Sequence, residues 1–207
     1  MNPLKNPAFE AKEFLPYQSL IEEINLLLSE RPENKPSKKP FLVAIDGKCT
    51  SGKTTLALYL STIYDCNVIS LDDFFLPVEL RTKERYLKTG GNVHYERFLN
   101  EVLEPLSCHK KVNYGVFDCS VMNITTTRDL PEKNLYIIEG SYSLRPDFIK
   151  YYDLSVILTV SEEIQKDRLL KRNGPVMYKN FKNKWIPLEN QYFQQHPEKN
   201  ATHLLVF

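Results

Sequence analysis

Apolar residues along this chain follow two patterns: stretches that repeat every three or four positions, and short unbroken runs. Phe14, Tyr17, Ile21, Ile24, Leu27 and Leu28 recur at helical steps, which predicts an amphipathic helix from Glu13 to Glu30 despite Pro16 near its start. The next ten residues, RPENKPSKKP, are polar with three prolines and read as an exposed connector.

Beyond the connector the pattern changes. FLVAI (41–45) is an unbroken apolar run, followed by a glycine-bearing loop and by TTLALYLSTIY, in which Leu56, Leu60 and Ile63 sit at helical spacing. A second run, NVISL (67–71), completes a β-α-β unit of the length that a right-handed crossover needs. YERFLNEVLEPL (95–106) predicts a helix, LYIIEG (135–140) and LSVILTV (154–160) predict strands, and helices are expected at 162–172 and around 185–195. HLLVF closes the chain as a further strand. Unbroken apolar strands alternating with helices are the mark of a parallel sheet covered on both faces, here of about five strands. No internal repeat and no low-complexity tract interrupts it.

The loop between the first strand and its helix carries the sharpest chemical signal. Gly47-Lys48-Cys49-Thr50-Ser51-Gly52-Lys53-Thr54 fits G-x-x-x-x-G-K-[ST] at every fixed position. Its glycines let consecutive N–H groups turn inward toward phosphate oxygens, and the helix that follows adds the positive end of its dipole. Lys53 then supplies charge to the β- and γ-phosphates and the Thr54 hydroxyl ligates Mg²⁺. Gly47, Thr50, Ser51, Gly52, Lys53, Thr54 and Thr55 are the candidate contacts to ATP.

Phosphoryl transfer to a hydroxyl also needs carboxylates near the carboxyl ends of the strands. Leu71-Asp72-Asp73-Phe74-Phe75 follows the second strand directly, and Glu139 ends LYII just before Gly140. An Asp after a strand can equally be a turn or helix-capping residue, so at least one of the Asp72–Asp73 pair is expected to act in chemistry. Glu139, placed straight after a buried run, needs a partner.

The bulk properties narrow the field. The 207 residues are 42% hydrophobic and 26% charged, ordinary for one globular α/β domain. Twenty-seven Lys and Arg against 26 Asp and Glu leave a net charge of +1, so no global field draws the chain to nucleic acid or to a membrane surface. No apolar run reaches a membrane span and the N-terminal stretch lacks the apolar core of a signal peptide, so the expected compartment is the cytoplasm. Cys49, Cys66, Cys108 and Cys119 form no C-x-x-C pair and are expected to be reduced thiols. A redox switch at Cys49, within the loop, would require a lowered pKa.

GKCTSGKTTLA, SLDDFFLP, GGNVHYERFLNEVLEPL, IIEGSYSL and the RLLKR segment, in this order, resemble the uridine kinase family, whose relatives include nicotinamide riboside kinases and phosphoribulokinases. The resemblance covers roughly residues 40–195. It implies a P-loop NTPase fold, a three-layer α/β/α sandwich with a mobile lid, using ATP and Mg²⁺ to phosphorylate a hydroxyl of a nucleoside or similar small metabolite. The N-terminal helix and connector, residues 1–39, lie outside the resemblance, which implies 40–207 as the kinase domain with its lid around 168–184. Asp72 is then the general base and shares the metal with Thr54 and Glu139, while Arg168 and Arg172 stand at the edge of the lid, where a guanidinium fork grips phosphate.

Two departures bear on the acceptor. Where nucleoside kinases of this group place a ribose-binding Asp, this chain has His94, and where they have a Tyr-Asp pair it has Phe117-Asp118. Asp73, Phe75, His94, Tyr95, Arg97 and Asp118 are the candidate acceptor contacts, with a solvated helix start as the plain alternative for the His94 group. Lys- and aromatic-rich NGPVMYKNFKNKW (173–185) reads as a lid over ATP in preference to a nucleic-acid patch. A non-nucleoside acceptor such as pantothenate or a sugar phosphate is one alternative, and a nucleotide-driven switch protein without an acceptor is another; a homo-oligomer is compatible with either.

Overall fold

The computed structural model describes residues 17–31, 39–195 and 197–206. These fall into two compact units, one holding helix α1 (Gln18–Ser29) and the other everything from Lys39 onward. The expected first helix therefore begins at Gln18; Glu13–Pro16 and connector residues 32–38 lie outside the described residues. Leu20 and Ile24 form its buried stripe.

The second unit opens with β1 (Phe41–Gly47), α2 (Lys53–Ile63) and β2 (Cys66–Ser70), followed by a 3₁₀ turn at Leu71–Phe74 and the short helix α3 (Lys83–Tyr86). Helices α4 (Tyr95–Phe98) and α5 (Glu104–Ser107) are joined without a break by a π turn over Leu99–Leu103, so the predicted helix at 95–106 exists with a widened middle. A hairpin of β3 (Asn113–Asp118) and β4 (Asn123–Asp129) precedes β5 (Leu135–Glu139), the single turn α6 (Pro146–Ile149) and β6 (Leu154–Thr159). Helix α7 (Glu162–Asn180) breaks at Gly174, whose φ of 74° and ψ of 172° lie outside helical space and are followed by Pro175. A π turn at Phe181–Trp185 leads into α8 (Ile186–Phe193), and β7 (His203–Val206) ends the described chain.

Five strands form one sheet, all parallel, in the order β2-β5-β1-β6-β7. Central β1 and β5 are buried at every residue, as their unbroken apolar runs require, whereas edge strand β2 alternates between half-buried and buried positions and edge strand β7 between half-buried and exposed ones. Register sets the site. Ser70 lies opposite Glu139, Ile45 opposite Glu139 on its other side, and Gly47 opposite Leu158, so the carboxyl ends of four strands finish along one edge.

Side chains of alternate strand residues face opposite ways. Leu42, Ile69, Tyr136 and Ile138 join Phe98, Val102, Leu103 and Leu106 from the α4–α5 segment in the largest buried cluster. Helix α2, with Leu56, Ala57 and Leu60 buried, runs against β1, β2 and β5 and takes no part in that cluster. Phe98 sits at its centre, edge-on to both Phe74 and Phe148 at 5.1 Å between centroids.

The β3–β4 hairpin forms a separate two-stranded sheet with a bulge between Val116 and Phe117. Its inner strand buries Tyr114, stacked on Phe74 at 5.0 Å, while every residue of β4 is exposed. Truncating Phe98 to Ala is expected to cost about 3–5 kcal/mol of unfolding free energy, read as a drop in the urea midpoint at constant slope.

Candidate active site

Gly47 ends β1 with φ 149°, and a Cβ there would lie 2.3 Å from the Leu158 carbonyl oxygen and 2.6 Å from Ser51 Oγ. Neighbouring β6 therefore demands glycine at this position whether or not phosphate is bound. Thr50 (φ 59°) and Gly52 (φ 106°) both take positive φ, and α2 begins at Lys53. Among the described residues the N–H groups of Gly52, Lys53 and Thr54 donate to no protein acceptor, which leaves a helix start with its positive dipole end open to an anion.

Lys53 is buried and its ammonium donates to the carbonyls of Gly47 and Lys48, each at 2.9 Å, and to Ser141 Oγ at 3.4 Å. Thr54 Oγ1 donates to Glu139 Oε2 at 3.2 Å, and Ser70 Oγ donates to Glu139 Oε1 at 2.6 Å. Burial raises the pKa of Glu139, the Ser70 hydrogen bond lowers it, and the like charge of Asp72 raises it again.

Asp72 is an exposed residue, yet enough protein surrounds its carboxylate to raise its pKa by desolvation, and Lys53 and Arg172 oppose that shift. Lys53, Thr54, Asp72 and Glu139 are thus brought together at the strand ends. Oxygens of Thr54 and Glu139 beside a second carboxylate are hard ligands of the kind Mg²⁺ takes. Among the described residues no group of three or more His, Cys, Asp or Glu forms a metal cage, and Mg²⁺ shared between one or two carboxylates and substrate phosphates needs none.

Three groups that sequence reading passed over hold the loop from below. Asp46, fully buried, accepts from the N–H groups of Gly47 (2.6 Å), Tyr142 (3.0 Å) and Leu144 (2.9 Å) and from the Tyr192 hydroxyl. Burial still pushes its pKa up. Glu189 on α8 accepts from Cys49 N–H with both oxygens at 3.0 Å. Gln165 on α7 donates to the carbonyl and the sulfur of Cys49, each at 3.2 Å. Asp46 stands at the end of an apolar run as Glu139 does, so the strand-end signal applied equally to it; Glu189 and Gln165 carried no local signal.

Arg168 and Arg172 project from the first part of α7, before the Gly174 break. Arg168 Nη1 donates to the Thr50 carbonyl at 3.0 Å, and Arg172 lies within electrostatic reach of Asp72. The expected helix at 162–172 runs on through most of the segment assigned to a lid, from Pro175 to Trp185, as helix and π turn.

The candidate acceptor contacts divide. Asp73 accepts from the Tyr114 hydroxyl at 3.1 Å and pairs with Arg128 at 3.3 Å, which joins it to the hairpin beside Asp72. Phe75 is half-buried and bridges to Val93. His94 caps α4 by accepting from Arg97 N–H at 3.4 Å, stands 3.3 Å from Glu96, and has its pKa lowered by burial. Tyr95 lies between the guanidiniums of Arg85 (3.8 Å) and Arg145 (3.9 Å). Arg97 pairs with Glu101 at 2.7 Å and donates to the Gly115 carbonyl at 2.6 Å. Asp118 accepts from the N–H and hydroxyl of Ser120 in the hairpin turn. His94 thus caps the start of α4, while Tyr95 and Arg97 are half-buried and held by Arg85, Arg145, Glu101 and the Gly115 carbonyl.

No protein-family model matches the chain, and no curated protein matches it in sequence. Solved structures do match in shape. A possible uridine kinase from Bacillus stearothermophilus superposes with a TM-score of 0.64 at 19% identity, covering 90% of this chain and 99% of its own. D-glycerate 3-kinase from Cryptococcus neoformans superposes at 0.60 with 16% identity, over 86% of this chain and 87% of its own.

Two measurements check this geometry. Burial and the neighbouring Glu189 push the Cys49 thiol up to about 12, so near neutral pH a thiol reagent is expected to modify exposed Cys108 and Cys119 and to spare Cys49 until the protein unfolds. Asp46→Asn turns an amide N–H₂ toward buried donors and is expected to cost about 1–3 kcal/mol or more, read by chemical denaturation. By fold, the chain is an α/β protein with a mainly parallel five-stranded sheet, of the architecture seen in these P-loop kinase-like structures.

Proposed function

We propose that this protein is an ATP-dependent small-molecule kinase that transfers the γ-phosphate to a hydroxyl of a small metabolite. One observation carries the reading: Lys53, Thr54, Glu139 and Asp72 meet at the strand ends beside the open N–H groups that start α2. A phosphate-binding turn alone would serve any nucleotide-binding protein. A carboxylate beyond it, solvent-accessible and facing Lys53 and Arg172, is what a hydroxyl acceptor adds.

In this reading Lys53 exchanges the Gly47 and Lys48 carbonyls for phosphate oxygens, while Arg168 and Arg172 bring positive charge from α7 to the transferring group. Asp72 accepts or orients the proton of the acceptor hydroxyl; Ser70 and Thr54 keep Glu139 aimed at the same place. Mg²⁺, held by Thr54 and Glu139 with Asp72 at hand, would neutralise charge on the phosphates.

For the acceptor, the uridine kinase resemblance favours a nucleoside, while the shape matches include both a possible uridine kinase and a D-glycerate 3-kinase. A non-nucleoside acceptor is the second reading, favoured by His94 standing where nucleoside kinases place a ribose-binding Asp, and by the pairing of nearby Glu96 and Glu101 with Arg85 and Arg97. Acceptor-dependent ADP release across nucleosides, nicotinamide riboside, pantothenate and sugars separates the two, and steady hydrolysis with no acceptor requirement would overturn both.

With the right acceptor, Lys53→Ala is expected to lower turnover by about 10²–10³-fold while the circular dichroism spectrum is kept. Asp72→Asn is expected to lower it by about 10²–10⁴-fold. Asp73→Asn should cost less, because Asp73 is engaged by Tyr114 and Arg128; equal losses at the two positions would mean that the base is misassigned.

A further inference from the structure

Thr50 is β-branched and sits at φ 59°, a conformation that such residues rarely adopt and that persists only when its surroundings impose it. The surroundings are specific. On its N-terminal side, Cys49 N–H is held by both oxygens of Glu189, and the Cys49 carbonyl by Gln165. On the other side, the Thr50 carbonyl accepts from Arg168, and the Thr50 hydroxyl donates to the Gln165 carbonyl at 3.3 Å. The bend of the phosphate loop is fixed by α7 and α8 from outside the loop.

Glu189 is the unusual member of this set. It is 5% exposed and forms no ion pair among the described residues. A charge so placed is costly to desolvate, and an apolar side chain would fill the same space at lower cost. Its hydrogen-bond partners are the phosphate loop itself and Ser141, which follows β5 and in turn reaches the loop and its lysine. Besides Cys49 N–H it stands 3.0 Å from Ser141 Oγ, which is also 3.0 Å from the Gly47 carbonyl and 3.4 Å from Lys53 Nζ.

Building on the kinase reading, we infer that Glu189 is a positioning residue: through Cys49 N–H and Ser141 it holds the loop and Lys53 in the shape that receives a nucleotide's phosphates. It touches neither phosphate nor acceptor. Its loss frees the Lys48–Cys49 peptide to rotate, and the N–H groups that start α2 no longer converge.

The test is calorimetric titration of the full chain with MgADP, which needs no knowledge of the acceptor, on wild type, Glu189→Gln, Ser141→Ala and the double variant. Each single change is expected to weaken MgADP about tenfold, the size of one charge-assisted hydrogen bond, with melting temperature held near wild type. The double variant is expected to be no weaker than the weaker single, because both act through one network. Single variants within twofold of wild type, or losses that multiply in the double, overturn the inference. So does an affinity loss no greater than that of Phe98→Ala, whose damage is confined to the core. Ser141→Ala leaves the buried charge in place and decides the matter where Glu189→Gln does not fold. Wild type that fails to bind MgADP sinks the kinase reading and this inference together; wild type that binds, with variants that bind equally well, sinks the inference alone.

Discussion

The structure turns on how four carboxylates are kept at one edge of a parallel sheet with a single buried lysine among them. Asp46, Asp72, Glu139 and Glu189 all lie at or beneath the strand ends, and Lys53 is the ammonium whose charge acts on the first three. An uncompensated buried charge costs several kcal/mol, so each acid has its own remedy. Asp46 takes three backbone N–H groups and a tyrosine hydroxyl; Glu189 takes one N–H and a serine; Glu139 takes two hydroxyls. Asp72 keeps access to water. The acids with donors of their own are fixed, and the one facing solvent is free to meet an incoming group.

This arrangement also explains why the loop cannot be considered apart from the rest of the sheet. Gly47 is required by the Leu158 carbonyl on β6, and Gly140 by Leu71, whose Cβ lies 2.6 Å from where a side chain would begin. Two glycines of the site are thus set by strand packing, and their backbones approach closely enough for Asp46 to bond across from β1 to the residues after β5. Close packing there brings Ser141 within reach of both Gly47 and Lys53.

Most of the framework was legible in the sequence, for a physical reason. Strands β1, β5 and β6 are buried on both faces, and FLVAI, LYII and LSVILT, alternating with helical patterns, are what a parallel sheet covered by helices requires. The hairpin was not legible as such, because β4 reads NITTTRD and is exposed throughout, leaving no apolar alternation to find. The Gly174 break was equally hidden: a glycine followed by proline can end a helix or bend it, and here helix resumes beyond. At the site, the loop and the strand-end acids carried local signals. Glu189, 140 positions from Cys49, acquires its place only when α8 returns to the sheet.

Distance along the chain therefore separates two classes of residue at this site. Groups drawn from strand ends and the loop meet because the register of neighbouring strands brings them level, as Ser70 and Glu139 show. Groups from α7 and α8 arrive from the C-terminal third, and they contact the loop's backbone at Cys49 and Thr50, the second of which takes a positive φ. A loop whose shape is imposed from a distant part of the chain responds to that part's position. The helical segment from Pro175 to Trp185 lies between Arg168 and Glu189 in sequence, so the two clamps on the loop flank one stretch of the chain, and the loop's bend depends on where that stretch places α7 and α8.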